Sequence, residues 1–297
     1  MAEKLFNIGK STNDRRLGEA KAKQETREYY GDLAQSQIAA AKENPAEFQA
    51  YLDTAALVPR FSPNNIALVM AQTRDWKEPP RMLFSAKHWG DRGRSVTDRD
   101  GGVQVFVGYD LGELFDISQT RGPDIPPLDL KTPEETVVAI QGLFDNLPQT
   151  VALEDMPGSD GKQPIALYKN EIGRDAALYS RAFGPKEVSQ AFFETCREVF
   201  HARNNKYSQN GPYHNAHYAV EASCAAYILC KRYGIEMPLL NFEALGAFNK
   251  KMDTVNFRNS LDIVANQTKE METAIYRALA PERTQVRAPR RDQKFIG

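Results

Sequence analysis

Two kinds of apolar spacing alternate along the chain. In AEFQAYLDTAALV, residues 46–58, the apolar positions Phe48, Leu52 and Ala55/Ala56 mark one face of a helix. In VQVFV, residues 103–107, they crowd into a short β-branched run of the kind strands use. Helical spacing from 29 to 58 predicts two helices broken near Asn44-Pro45. Ser62-Pro63 then reads as an N-cap and first helical residue ahead of NNIALVMAQ. Residues 81–85 and 103–107 are strand-like, with DRDGG, 98–102, as a turn between them.

GPDIPPLDLKTP reads as a linker. Beyond it, EETVVAIQGLFDNL is a helix, and 165–168 with 177–181 form a small hairpin that turns at Gly173-Arg174-Asp175. A helix over 186–203 enters through Gly184-Pro185, and one over 216–233 closes at Gly234. Two more lie near 241–250 and 257–279. Residues 1–28 show no apolar period and read as a mobile arm or a helix formed only on contact. Residues 281–297 form a basic tail. The fold class is therefore α+β: an α+β domain over 29–122, a linker over 123–132, and a mainly helical domain with one hairpin over 133–280.

Composition narrows the classes. With 297 residues and 41% hydrophobic content, the chain can bury a sizeable core. Its net charge is −1, so nucleic-acid binding needs a local patch. Cys196, Cys224 and Cys230 form no C-x-x-C pair, and a reducing cytoplasm is expected. The polar N-terminus does not read as a secretory signal, and no apolar run approaches a membrane span, so no membrane partner is expected.

The candidate chemistry starts in FFETCREVFHARNN, residues 192–205. A zinc peptidase carries His-Glu-x-x-His on one helical face, two imidazoles for the metal and a Glu as general base. Here Glu198 and His201 stand at that spacing, and Arg197 occupies the first position. Glu221, on the next helix, is the candidate third ligand. His214 and His217, just ahead of it, are possible substitute ligands or ordinary loop histidines. The plain alternative makes His201 a half-buried or surface histidine and Arg197 and Glu198 a solvated face.

A second concentration lies in residues 60–99, where eight Lys and Arg face four Asp and Glu. Trp76, Phe84, His88 and Trp89 are interleaved with them. Cations for phosphates and aromatic faces for bases are what single-stranded nucleic acid requires.

At these residues the chain resembles a family. Phe61, Ser62, Asn65, Gln72, Trp89, Gly93, Arg94, Val96, Gly102 and Val103, followed by LFDISQTRG, resemble the pattern of ArdC-type antirestriction proteins and the related LtrC-like proteins of bacterial mobile elements. The resemblance implies a single-stranded DNA-binding first domain and a zincin-type, metallopeptidase-like second domain. With the basic patch, the candidate DNA contacts are Asn65, Gln72, Arg81, Lys87, Trp89, Arg92 and Arg94, with the alternatives that Asn65 and Gln72 hold the domain's own backbone and that Trp89 is core. The resemblance matches His201 to the second zinc His, Glu198 to the catalytic Glu and Glu221 to the downstream Glu. Arg197 departs from the pattern, because a guanidinium has no free lone pair for a metal. Next to two carboxylates it can replace lost positive charge, so an Arg197–Glu221 salt bridge and a catalytically dead domain are expected. No cofactor is expected, with zinc the candidate if the altered site functions. A host defence protein is the candidate second partner. Rival readings are an active zinc peptidase with altered ligands and a peptide-binding module that inhibits a defence protein.

Overall fold

The structure, a computed structural model, describes residues 2–99, 101–125, 128–145, 164–169, 175–179, 185–205, 215–237 and 239–284. It is mostly helical with small antiparallel sheets, an α+β architecture. The chain divides into two compact units, Met1–Ile125 with Phe242–Thr254, and Pro126–Asn241 with Val255–Gly297.

The first unit opens with α1 (Ala2–Glu43), so the polar segment 1–28 is helical from its second residue. Its exposed part, from 18 on, uses good helix formers instead of an apolar stripe. A Lys21–Glu25 pair at 3.7 Å and a Gln24–Glu28 hydrogen bond at 2.8 Å link successive turns, each worth about 0.2–0.5 kcal/mol. The break at Asn44-Pro45 is real. Asn44 Oδ1 accepts from the Ala46 N–H at 2.9 Å, and Pro45 opens α2 (Pro45–Leu57). Helix α3 (Pro63–Thr73) starts as expected, although Ser62 caps without a side-chain hydrogen bond.

The strands follow: β1 (Leu83–Phe84), then helix α4 (Ala86–Gly90), β2 (Ser95–Val96), β3 (Val103–Val107), β4 (Asp110–Asp116) and β5 (Thr120–Arg121). One antiparallel sheet has the order β1-β4-β3, and β2 pairs with β5. The central strand β4, DLGELFD, escapes a sequence reading because Asp, Gly and Glu interrupt its apolar alternation. DRDGG therefore does not join neighbours, since β4 lies between β1 and β3.

Asp116 fastens the far end of β4. Its carboxylate accepts from the backbone N–H groups of Arg81, Met82 and Ser118 and from the Ser118 hydroxyl, at 2.7–2.9 Å. Burial alone would raise its pKa. The four hydrogen bonds outweigh burial and hold the carboxyl below its ordinary value.

The second unit contains α5 (Pro133–Asp145), the hairpin β6 (Pro164–Lys169) and β7 (Asp175–Tyr179), α6 (Pro185–Asn205) and α7 (Ala219–Arg232). The hairpin's turn residues and the tail from 285 lie outside the described residues. Next come α8 (Phe242–Lys251), which clusters with the first unit and packs on α1 and α2, and α9 (Thr254–Thr284). Helices α6 and α7 pack against each other. Phe192, Cys196, Val199 and Phe200 of the first are buried, as are Ala222, Ala225, Ala226 and Leu229 of the second. The small alanines let the backbones approach, and each buried Phe contributes about 1.5–3 kcal/mol. Helix α7 ends in a Schellman motif: Ile235 N–H donates to Cys230 C=O at 2.9 Å and Gly234 N–H to Lys231 C=O at 3.4 Å. Gly234 sits at φ +64°, which only glycine adopts without strain.

Candidate functional site

Among the seven candidate DNA contacts, four have other tasks. Asn65 and Gln72 stand seven residues apart on α3, two turns along one face. Asn65 Nδ2 donates to Phe106 C=O at 2.9 Å, and its Oδ1 accepts from Phe106 N–H at 2.8 Å. Gln72 does the same to Gln104, at 2.8 and 2.9 Å. The two amides thus take the place of a neighbouring strand along the outer side of β3.

Trp89 is 0% exposed, and its Nε1 donates to Phe115 C=O at 2.8 Å. It is core, not a stacking platform. Arg94 is 8% exposed and lies over the Trp89 ring, 5.8 Å from its centroid. Its guanidinium donates to the Thr120 hydroxyl at 2.8 Å and to the carbonyls of Gly122, Ile117 and Thr120 at 3.0–3.5 Å, and also to Pro123 C=O. Arg94 therefore ties the turn after α4 to β5. All four thus engage their polar groups within the unit itself, Asn65 and Gln72 on the backbone of β3 and Trp89 and Arg94 in buried positions.

Three of the seven remain at the surface, all around β1 and α4. Arg81 and Lys87 are exposed and Arg92 is half-buried. Arg92 lies over the Phe84 ring, 4.2 Å from its centroid, and donates to His88 C=O at 3.0 Å. His88 is exposed, packs 6.4 Å from Phe84 and shares a 2.8 Å hydrogen bond with Ser85 Oγ. Ser85 also caps α4 by accepting from His88 N–H. The result is one aromatic ring flanked by a guanidinium and an imidazole, with two further cations nearby in the chain.

In the second unit, α6 carries Arg197, Glu198 and His201, and α7 carries Glu221. His201 and Glu221 are each 5% exposed, and Glu198 is half-buried. Burial, helped by the nearby Arg197 charge, lowers the His201 pKa to about 4, so its imidazole is neutral near pH 7. The expected Arg197–Glu221 salt bridge is not formed. Arg197 bonds instead to Glu194, one turn back, at 2.9 Å, and its Nε is buried without a hydrogen bond. Helix geometry explains the choice, since i and i+3 are neighbours on one surface. Glu221 Oε1 accepts from Ser260 Oγ of α9 at 2.8 Å, while its Oε2 has no hydrogen-bond partner.

The described donor set lacks the first imidazole of a zinc site. Among the described residues no three His, Cys, Asp or Glu side chains converge, and a guanidinium holds the first ligand position. His217 is exposed in the 3-10 turn Asn215–Tyr218, and His214 lies outside the described residues. Among the described residues no helix is long and apolar enough to cross a membrane. Comparison with known proteins gives no match: no family model, no curated protein and no solved structure matches this chain.

Proposed function

We propose that this chain is an antirestriction-like protein of a bacterial mobile element that binds single-stranded DNA through its first unit. The observation that carries the reading is the β1–α4 patch. Arg92 is stacked on Phe84 beside exposed His88, with Lys87 and Arg81 exposed to meet phosphates. An aromatic face flanked by cations binds bases without regard to sequence. The second unit, on this reading, has a metallopeptidase-like plan without hydrolysis and serves contacts with a host defence protein. Arg197 in the ligand position supports that assignment.

The test is binding of labelled oligo(dT) across a salt titration. Each phosphate contact contributes a slope of about −0.7 in log K against log salt. The triple variant Arg81→Gln/Lys87→Gln/Arg92→Gln is expected to bind at least about tenfold more weakly and to flatten the slope by about 2. Wild-type protein with no salt-dependent binding rejects the reading.

A further inference from the structure

We propose that the tip of the β3–β4 hairpin is a second base-stacking contact for single-stranded nucleic acid, built from Tyr109 and Arg27. The inference rests on the DNA-binding reading above. The Val107–Asp110 pair closes a two-residue turn, Gly108-Tyr109, with Gly108 at φ +62°. Such turns are served by Asn, Asp or Gly. This one instead holds an aromatic ring that is 88% exposed.

The ring is also held in place. Arg27, on α1, donates to the Tyr109 carbonyl at 2.9 Å and lies 5.5 Å from the centroid of its ring. The guanidinium thus fixes the tyrosine's backbone and covers part of one face while most of the ring stays open. Prior immobilisation lowers the entropy lost when a base stacks. Charge around the tip is mixed, Lys21, Lys23 and Arg27 against Glu25, Glu28, Asp110 and Glu113, so the contact rests on the ring and not on phosphates. Lys23 lies one turn before Arg27 on α1, and the intervening Glu25 and its neighbour Glu28 are engaged by Lys21 and Gln24. Glu113, on β4, is engaged by Gln104 Nε2 at 2.7 Å, and Asp110 is the acid next to the ring in sequence.

The spacing suits one strand reaching both contacts. Phe84 pairs with Phe115, and β4 runs from there back to the tip. Six residues at about 3.4 Å each put the two levels on the order of 20 Å apart. Single-strand sites of about 4–16 nucleotides cover such a span.

The experiment is oligo(dT) of about 15 nucleotides, titrated into full-length wild type, Tyr109→Ala, Tyr109→Phe and the patch variant Lys87→Gln/Arg92→Gln. Tyr109→Ala is expected to bind about 5- to 100-fold more weakly, with an unchanged salt slope because no charge is lost. Tyr109→Phe keeps the ring and retains wild-type affinity. Wild-type affinity in Tyr109→Ala, or an equal loss in Tyr109→Phe, overturns this inference alone when the patch variant is weakened. Absence of wild-type binding overturns both this inference and the reading beneath it. Tyr109 is so exposed that an unchanged unfolding temperature serves as the folding control for its variants.

Discussion

Arg94 and Arg197 are both cations that sequence alone assigns to function, and the molecule treats them in opposite ways. Arg94 donates five hydrogen bonds to a hydroxyl and four backbone carbonyls of its own unit. Arg197 makes one ion pair, with a partly exposed neighbour on its own helix, and leaves Nε unbonded. The first is a joint on which the path of the chain depends. The second is a charge resting on a helix, so its identity can change with little cost to the fold. A residue shared with a family pattern can therefore be scaffold, and the departure from the pattern can be the replaceable residue.

The largest expected effect breaks this contrast if it fails. Arg94→Ala strands several buried carbonyls and should cost at least about 3 kcal/mol in urea unfolding. Arg197→Ala should cost under about 1 kcal/mol, as partly exposed pairs do. Equal losses would remove the distinction. Next in size, Asn65→Ala and Gln72→Ala should each cost about 1–2 kcal/mol. Hydrogen exchange should quicken at the Phe106 amide in the first variant and at the Gln104 amide in the second. Unchanged exchange would mean that the amide contacts do not protect β3.

The pH dependence is comparable in size. His201 has its folded pKa lowered from 6.5 to about 4, so protonation opposes folding. Its contribution is fully present above about pH 6.5 and is lost as the pH falls towards 4. Between pH 7.5 and pH 5 wild type should lose roughly 1–2 kcal/mol more than His201→Asn loses. Parallel pH profiles would show that His201 does not titrate in this way. The smallest effect in energy sharpens the view of Arg197. Elemental analysis should find no stoichiometric zinc in wild type and about one zinc per chain in Arg197→His, as three protein ligands then become available. A variant without zinc would mean that the α6–α7 face is not a metal centre lost by one substitution.

Much of the fold is written locally. Asn44-Pro45 and Ser62-Pro63 mark helix starts through capping and the fixed proline φ, and Gly234 marks an end through its left-handed backbone. VQVFV declares β3 through β-branching. What stays hidden depends on partners distant in sequence. Nothing in the sequence around Asn65 or Gln72 says whether its amide will meet a base or the backbone of a strand 41 or 32 residues away. Trp89 reads as either core or platform until Phe115 is seen to take its N–H. Arg197 invites a partner on α7, and helix geometry supplies a closer one on its own helix. Residues 2–28 are helical although their sequence has no apolar stripe, so periodicity gave no sign of the helix.

The two α3 amides also bear on how this protein behaves in a crowd. An outer strand with free N–H and C=O groups is a template for other chains, and VQVFV, β-branched and without charge or proline, has the composition of an aggregation-prone segment. Asn65 and Gln72 occupy the groups of Phe106 and Gln104 that an incoming strand would need. They act as gatekeepers against edge-to-edge polymerisation, and a chain stripped of both would be at risk of seeding fibrils from a sheet that still folds.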